Sequence, residues 1–379
     1  MTKSGPQARF QTGPAARRYG YSLLSAAVAG ALAPAYVIRW HVGPLPTTLL
    51  EVALLVTIAI FVGLYRAYFL EPAAFAIILA SVATTPRRAG LVLLGFGIGG
   101  AVAALLNIAV VLDAIRHHVL DLATTPPVVI YQTANAVALY LIPLVAMAAA
   151  LLVHGKDRLE RWASGLFLAI ALPACLLSFS RGGYLALAAI ALGLAFSHRW
   201  AKLFVPAVIL AGLLVSQVPL IRHRIAYELH PIPGNTLDYR FRLWGQTLKL
   251  MSHHPVLGIG LSNFQQAMGP YWQDLTKVIY PHNIVLNFWT VTGLLGLVGF
   301  GWLAVRAFLL GWRGWRRDAP GWQPYDLGVM LALIGIVVHG LVDVPFFKND
   351  LSLEFWALLG VLWAAYRWGR MGRDVGTSP

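Results

Sequence analysis

Residues 126–153 read PPVVIYQTANAVALYLIPLVAMAAALLV, 28 positions without one Lys, Arg, Asp or Glu. A helix crosses a bilayer with about 20 apolar residues, so this run is long enough. Its apolar residues are continuous and Ala/Leu-rich rather than alternating, which excludes a barrel strand. The rest of the chain has the same character: of 379 residues, 58% are hydrophobic and 12% charged. A soluble domain carries about twice that charge. So much apolar surface cannot be hidden from water, and neither a soluble enzyme nor a disordered chain fits. The composition predicts an all-α, polytopic membrane bundle.

Eleven apolar blocks can be marked: 20–38, 47–65, 69–85, 89–112, 126–153, 162–179, 183–197, 203–220, 283–310, 326–346 and 351–366. The net charge of +14 falls mostly in short connections between them. There it sets orientation in the membrane and does not indicate a nucleic-acid partner. Arg87/Arg88, Lys156/Arg158/Arg161, Arg199/Lys202, Arg313/Arg316/Arg317 and Arg367/Arg370/Arg373 lie on alternate connections, and all can be cytoplasmic together. Eleven spans would then leave the basic residues 1–18 outside. The expected count is therefore about 12, both ends inside, with the extra span before residue 126, where Pro72, Pro86 and Gly95–Gly100 interrupt the pattern. Tyr21–Ile38 is taken as an uncleaved first helix. Cys175, the single cysteine, lies within an apolar block, so no disulfide is expected. The organisation is one transmembrane domain, 1–379, with a loop at 217–282 inserted on the outer face.

That loop is the only long polar stretch. Within it Leu237, Phe241, Trp244, Leu248 and Met251 recur at three and four, predicting an amphipathic interfacial helix over Thr236–Ser252. His253-His254-Pro255 ends it, and Gly258/Gly260 begin another turn.

Polar groups gather at four places. Ser178-Phe179-Ser180-Arg181-Gly182-Gly183 is read as an outer turn whose glycines let the backbone fold sharply and leave amides open to an anion. Its plainer reading is a hairpin with a snorkelling Arg. Arg240, Arg242 and Trp244 sit on the amphipathic helix, and planar guanidinium matches phosphate oxygens; contact with lipid headgroups is the commoner reason for such arginines, and Arg242 fits it better than Arg240. Tyr280-Pro281-His282-Asn283 stands where the loop re-enters the membrane, with an imidazole able to accept a hydroxyl proton. After nine intervening residues comes Gly293-Leu294-Leu295-Gly296, which is also common helix-packing sequence. Asp343, near the outer end of the block 326–346, is costly at that depth unless paired; a His, an Arg or Lys348 would serve. His339, one turn earlier, reads as a packed or paired histidine. No carboxylate pair occurs on an outer loop, nor zinc-ligand spacing, a Walker loop or a nucleophile elbow. Chemistry without a metal or cofactor is expected, with arginine as the partner of a leaving phosphate.

These stretches together resemble the O-antigen ligase/polymerase family of polytopic glycosyltransferases. The matching residues are Ser180-Arg181-Gly182-Gly183, Arg240-x-x-x-Trp244 leading to Pro255-Val256-Leu257-Gly258-Ile259-Gly260-Leu261-Ser262-Asn263-Phe264, and His282-Asn283-x9-Gly293-x-x-Gly296. The last has the ligases' signature spacing. Trp244 stands where many ligases have Leu. The likeness is sharp over about 175–300, and before 126 only hydrophobicity carries it.

The resemblance implies a GT-C-like bundle in the bacterial inner membrane, multi-pass, with its active site facing the periplasm. It implies transfer of a glycan from undecaprenyl diphosphate to a lipid A-core sugar, with inversion. Arg181 and Arg240, with Arg242, resemble diphosphate ligands; His282 resembles the base and Asp343 its acidic partner; Asn283, Trp244 and Tyr280 stand as support. Repeat-unit polymerisation and protein O-glycosylation share these motifs. A transporter would show inverted repeats and charges at mid-membrane, which are not visible.

Overall fold

In the computed structural model the described residues are 39–42, 45–48, 65–120, 127–131, 133–197, 201–203, 236–273, 275–317 and 321–374, with isolated positions between 206 and 222. The chain divides into two compact units, Met1–Arg66 and Ala67–Pro379. In the first, β1 (Arg39–Val42) pairs antiparallel with β2 (Leu45–Thr48), Arg39 opposite Thr48. The second is helical among its described residues. A π-helical turn at Arg66–Leu70 runs into α1 (Glu71–Val82), followed by α2 (Pro86–Arg116), α3 (Ala134–His154), α4 (Arg158–Leu177) and α5 (Arg181–Ala195). After a 3-10 turn at Ala201–Leu203 come α6 (Thr236–His253), α7 (Ile284–Arg317), α8 (Gln323–Gly340) and α9 (Asn349–Asp374).

Among the described residues five helices are long and apolar enough to cross a membrane: α2, α3, α4, α7 and α8. The count of about 12 is not reached among them; the blocks 20–38, most of 47–65 and most of 203–220 lie outside the described residues. The expected interruption at Gly95–Gly100 is absent, because α2 continues unbroken through it. Pro86 sits in the first turn of α2, where the missing N–H costs nothing, and Pro72 stands just after the π-helical turn that runs into α1. Neither breaks its helix.

Two helices form the centre. α3 is buried almost continuously from Ala134 to Leu151, and α8 from Pro324 to Leu333, as helices apolar on every side should be. Around them α2 exposes Leu91, Leu94, Ile98, Leu105 and Leu112, and α7 exposes Leu295, Val298, Trp302 and Val305. These rows recur at helical spacing on an outer face far too apolar for water, which suits lipid chains. The basic connections sit at one end of the bundle: the start of α2, the α3–α4 turn and the end of α7. The starts of α3, α5 and α7 and the ends of α4 and α8 meet at the other end.

The apolar block 126–153 becomes helical only at Ala134. The block 326–346 likewise stops early, α8 ending at Gly340. The chain beyond it is held by Phe346, 1% exposed, whose ring meets those of Phe69, Phe288, Phe300 and Phe355.

The described part of 217–282 has a small core of its own: Leu243 and Leu250 of α6 with Phe264, Met268, Trp272 and Leu275. Of the stripe expected from periodicity, Leu237, Phe241 and Leu248 are on the outside of α6, Trp244 is half-buried and Met251 is buried. The helix therefore carries two apolar sides, one packed on its own loop and one turned outward.

Candidate functional site

The turn between α4 and α5 is built by residues other than the expected glycines. Phe179 has φ +52°, a left-handed backbone that costs a side-chain residue about 1–2 kcal/mol. Ser180 then caps α5, its Oγ accepting the Gly183 N–H at 3.2 Å, which places Arg181 in the first turn. Gly182 and Gly183 are inside the helix, and their role is space. A Cβ on Gly182 would lie 2.5 Å from the His339 ring and 2.7 Å from Val342; one on Gly183 would lie 3.1 Å from Ala138. Absent side chains let α5 close against α3 and α8.

That closure shapes a cavity of about 210 Å³ lined by Asn135, Ser180, Arg181, Arg240, His339 and Asp343, among others. Two arginines from helices far apart in sequence thus face one space, beside the N-terminus of α5, where amide dipoles favour an anion. Ser180 Oγ is 3.2 Å from His339 Nε2. Having accepted from Gly183, the hydroxyl has its proton to give, so His339 is a paired histidine, as expected. Its Nδ1 is buried and has no partner among the described residues.

Asp343, 3% exposed, is fully engaged. Oδ1 accepts the Val344 N–H at 2.9 Å and faces His282 Nδ1 at 3.4 Å; Oδ2 accepts from Asn135 Nδ2 at 3.1 Å. Burial raises the carboxyl's pKa, but the hydrogen bond and charge of His282, the charge of His339 and the Val344 N–H outweigh it. The group is held below the ordinary carboxylate range and stays ionised. Its partners are therefore His282 and Asn135 rather than Lys348.

His282 itself has φ +51°, a second left-handed side-chain residue at this end of the bundle; such strain needs tight surroundings to persist. Trp244 Nε1 donates to Pro281 O at 2.9 Å. Tyr280 sets its ring edge-on to the imidazole, centroids 4.7 Å apart. Asn283 caps α7, accepting the Leu286 N–H at 3.0 Å, and donates to Leu341 O at 2.9 Å. Burial, followed by the nearby Asp343 charge, pushes the Tyr280 phenol up against the opposing pull of Arg240, so it remains protonated.

Gly293 shows why the two glycine motifs belong together. It breaks α7 with φ +69° and ψ −172°, a conformation only glycine adopts readily. The helix carbonyl and amide freed there are taken up by the 255–260 loop: Ile259 N donates to Thr290 O at 2.7 Å, and Leu294 N to Val256 O at 2.9 Å. Trp289 Nε1 adds a bond to Pro255 O at 2.7 Å. Gly258, φ +69°, passes so close that a Cβ would lie 2.7 Å from Thr290 O. The Pro255–Gly260 stretch is thus a splint across the break in α7.

Of the residues singled out from sequence, Arg181, Arg240 and Asp343 line the cavity, His282 joins it through Asp343, and Trp244, Tyr280 and Asn283 hold the segment carrying His282. Arg242 does not line it; its Nη1 is 3.8 Å from Asp238 Oδ2, one turn back. Asn135 was missed. The available signal was a carboxamide inside an apolar block, a group that needs a partner at that depth.

Comparison with known proteins finds a likeness over part of the chain. Residues 166–301 match the family model described as O-antigen ligase. The matched segment contains Arg181, Arg240, His282 and Gly293, and stops short of Asp343. No curated protein matches the chain.

Proposed function

We propose, from the match of residues 166–301 to the family model described as O-antigen ligase, that the protein transfers a glycan from undecaprenyl diphosphate to a lipid A-core sugar at the periplasmic face of the bacterial inner membrane. The supporting observation is one cavity holding two guanidinium groups beside a carboxylate–imidazole pair. With Nδ1–H directed at Asp343, His282 Nε2 accepts the proton of the acceptor hydroxyl. The oxygen attacks the anomeric carbon from the side opposite the diphosphate, the carbon–oxygen bond to that group breaks, and the centre inverts. Arg181 and Arg240, with the amides of α5, stabilise charge growing on the departing diphosphate.

Purified protein with lipid-linked polymer and lipid A-core tests this directly. Polymer on the core, formed with EDTA present, is the expected product. Polymer lengthened on the polyprenyl carrier without reaching the core would instead identify a repeat-unit polymerase. Transfer only to a pilin would identify a protein O-oligosaccharyltransferase. Loss of activity to EDTA would refute the role given to the arginines.

A further inference from the structure

A second cavity, of about 470 Å³, opens among α2, α3 and α4 at the end of these helices remote from the site above. Its depth is apolar: Leu94, Leu144, Leu151 and Phe167 line it, with Gly90 and Gly97 of α2 supplying no side chain. These glycines are seven apart, so they share one face and leave a groove beside α4. Leu91 and Leu159 on its rim are exposed, which opens the groove toward the lipid side.

The mouth is charged. Arg87 and Lys156 line it together with Asp157 and Glu160, but the four are not equivalent. Asp157 caps α4, Oδ1 accepting the Leu159 N–H at 2.8 Å. Glu160 accepts from the Tyr325 hydroxyl. One oxygen of each carboxylate thus bonds to a neutral donor on the protein, while neither Arg87 nor Lys156 has a hydrogen-bond or ion-pair partner among the described residues. Two exposed, unpaired cations stand over an apolar slot.

We propose that this groove binds one anionic phospholipid of the surrounding bilayer, an acyl chain lying along Gly90 and Gly97 and the phosphate resting on Arg87 and Lys156. The proposal rests on the membrane-spanning reading of α2, α3 and α4 and is independent of the transfer reaction. Charge complementarity selects the headgroup, since a zwitterionic lipid offers the same chains without the net charge. The basic connections at this end put the groove in the cytoplasmic leaflet.

Native mass spectrometry of the full chain, released from detergent with equal phosphatidylglycerol and phosphatidylcholine, tests it. The expected result is one retained phosphatidylglycerol, reduced about thirtyfold by the double substitution Arg87→Gln and Lys156→Gln, the scale of two basic residues near an anionic headgroup. Gly97→Leu, which fills the slot, abolishes retention of either lipid there. Should Gly97→Leu fail to fold, the charge variant decides alone, with its melting temperature matched to the parent. Equal retention of the two lipids, unchanged retention in the charge variant, or preference for a polyprenyl phosphate would each overturn the proposal.

Discussion

His282 and Asp343 are 61 residues apart in the chain, yet His282 Nδ1 lies 3.4 Å from Asp343 Oδ1. In the proposed reaction this contact decides which imidazole nitrogen is available. A proton held on Nδ1 toward the carboxylate leaves the Nε2 lone pair to act as base. The carboxylate can do this because it is itself fixed by Asn135 and by the Val344 amide. Replacing His282 by Ala should lower transfer by about 10²–10⁴-fold, the usual contribution of a general base, with the protein still at its normal membrane level. Full activity would make the histidine structural.

Asn135→Ala should lower kcat about tenfold, the scale of an outer hydrogen bond that orients an inner group. KM for the lipid-linked donor should stay within a factor of two or so, because Asn135 acts on Asp343 rather than on the diphosphate. An unchanged kcat would mean that the carboxylate keeps its position without this bond.

The two arginines are predicted to fail differently from a simple loss of charge. Lysine preserves the charge but not the planar fork. Arg181→Lys and Arg240→Lys should each reduce kcat/KM by about tenfold or more, and Arg242→Lys by far less, since Arg242 pairs with Asp238 outside the cavity. Similar losses at all three positions would contradict the geometry.

Asp343 also ties stability to pH. Its folded-state pKa is depressed, so ionisation stabilises the native state at every pH above the ordinary carboxylate value of about 3.9. That contribution drains away as pH falls from there toward the lowered folded value. In Asp343→Asn the melting temperature should therefore lie furthest below the parent's near neutrality, and the gap should narrow in acid. A gap independent of pH would show that Asp343 is not the ionised partner.

Glycine substitutions separate close packing from mere helix location. Gly182→Ala, with a Cβ 2.5 Å from the His339 ring, should destabilise by about 1–3 kcal/mol and reduce transfer. Gly95→Ala, with nothing within 4 Å of its new Cβ, should be neutral or stabilising by up to about 1 kcal/mol. Gly293→Ala should be the most damaging, because its Cβ would lie 2.1 Å from Val256 O on a backbone at φ +69°. Comparing melting temperatures of the three purified variants checks the order.

The sequence by itself determined the membrane character, the helical class and the places where polar groups gather, because apolar composition and period are local properties of the chain. It also led to the matched family, since short motifs such as Ser180–Gly183 and His282–Gly296 survive as strings. It misassigned the glycines of the α4–α5 turn: a sharp turn and a close helix contact both favour glycine, and only the neighbouring helix tells them apart. It gave α6 a single apolar stripe, Leu237, Phe241, Trp244, Leu248 and Met251, and passed over Leu243 and Leu250, which pack inward with Met251, because two apolar stripes on one helix look alike until a partner covers one. The union of Arg181 with Arg240, the Asn135–Asp343–His282 chain and the splint of Pro255–Gly260 across Gly293 belong to tertiary structure alone. Each joins segments tens to hundreds of residues apart, and a contact of that kind is fixed by how whole helices pack.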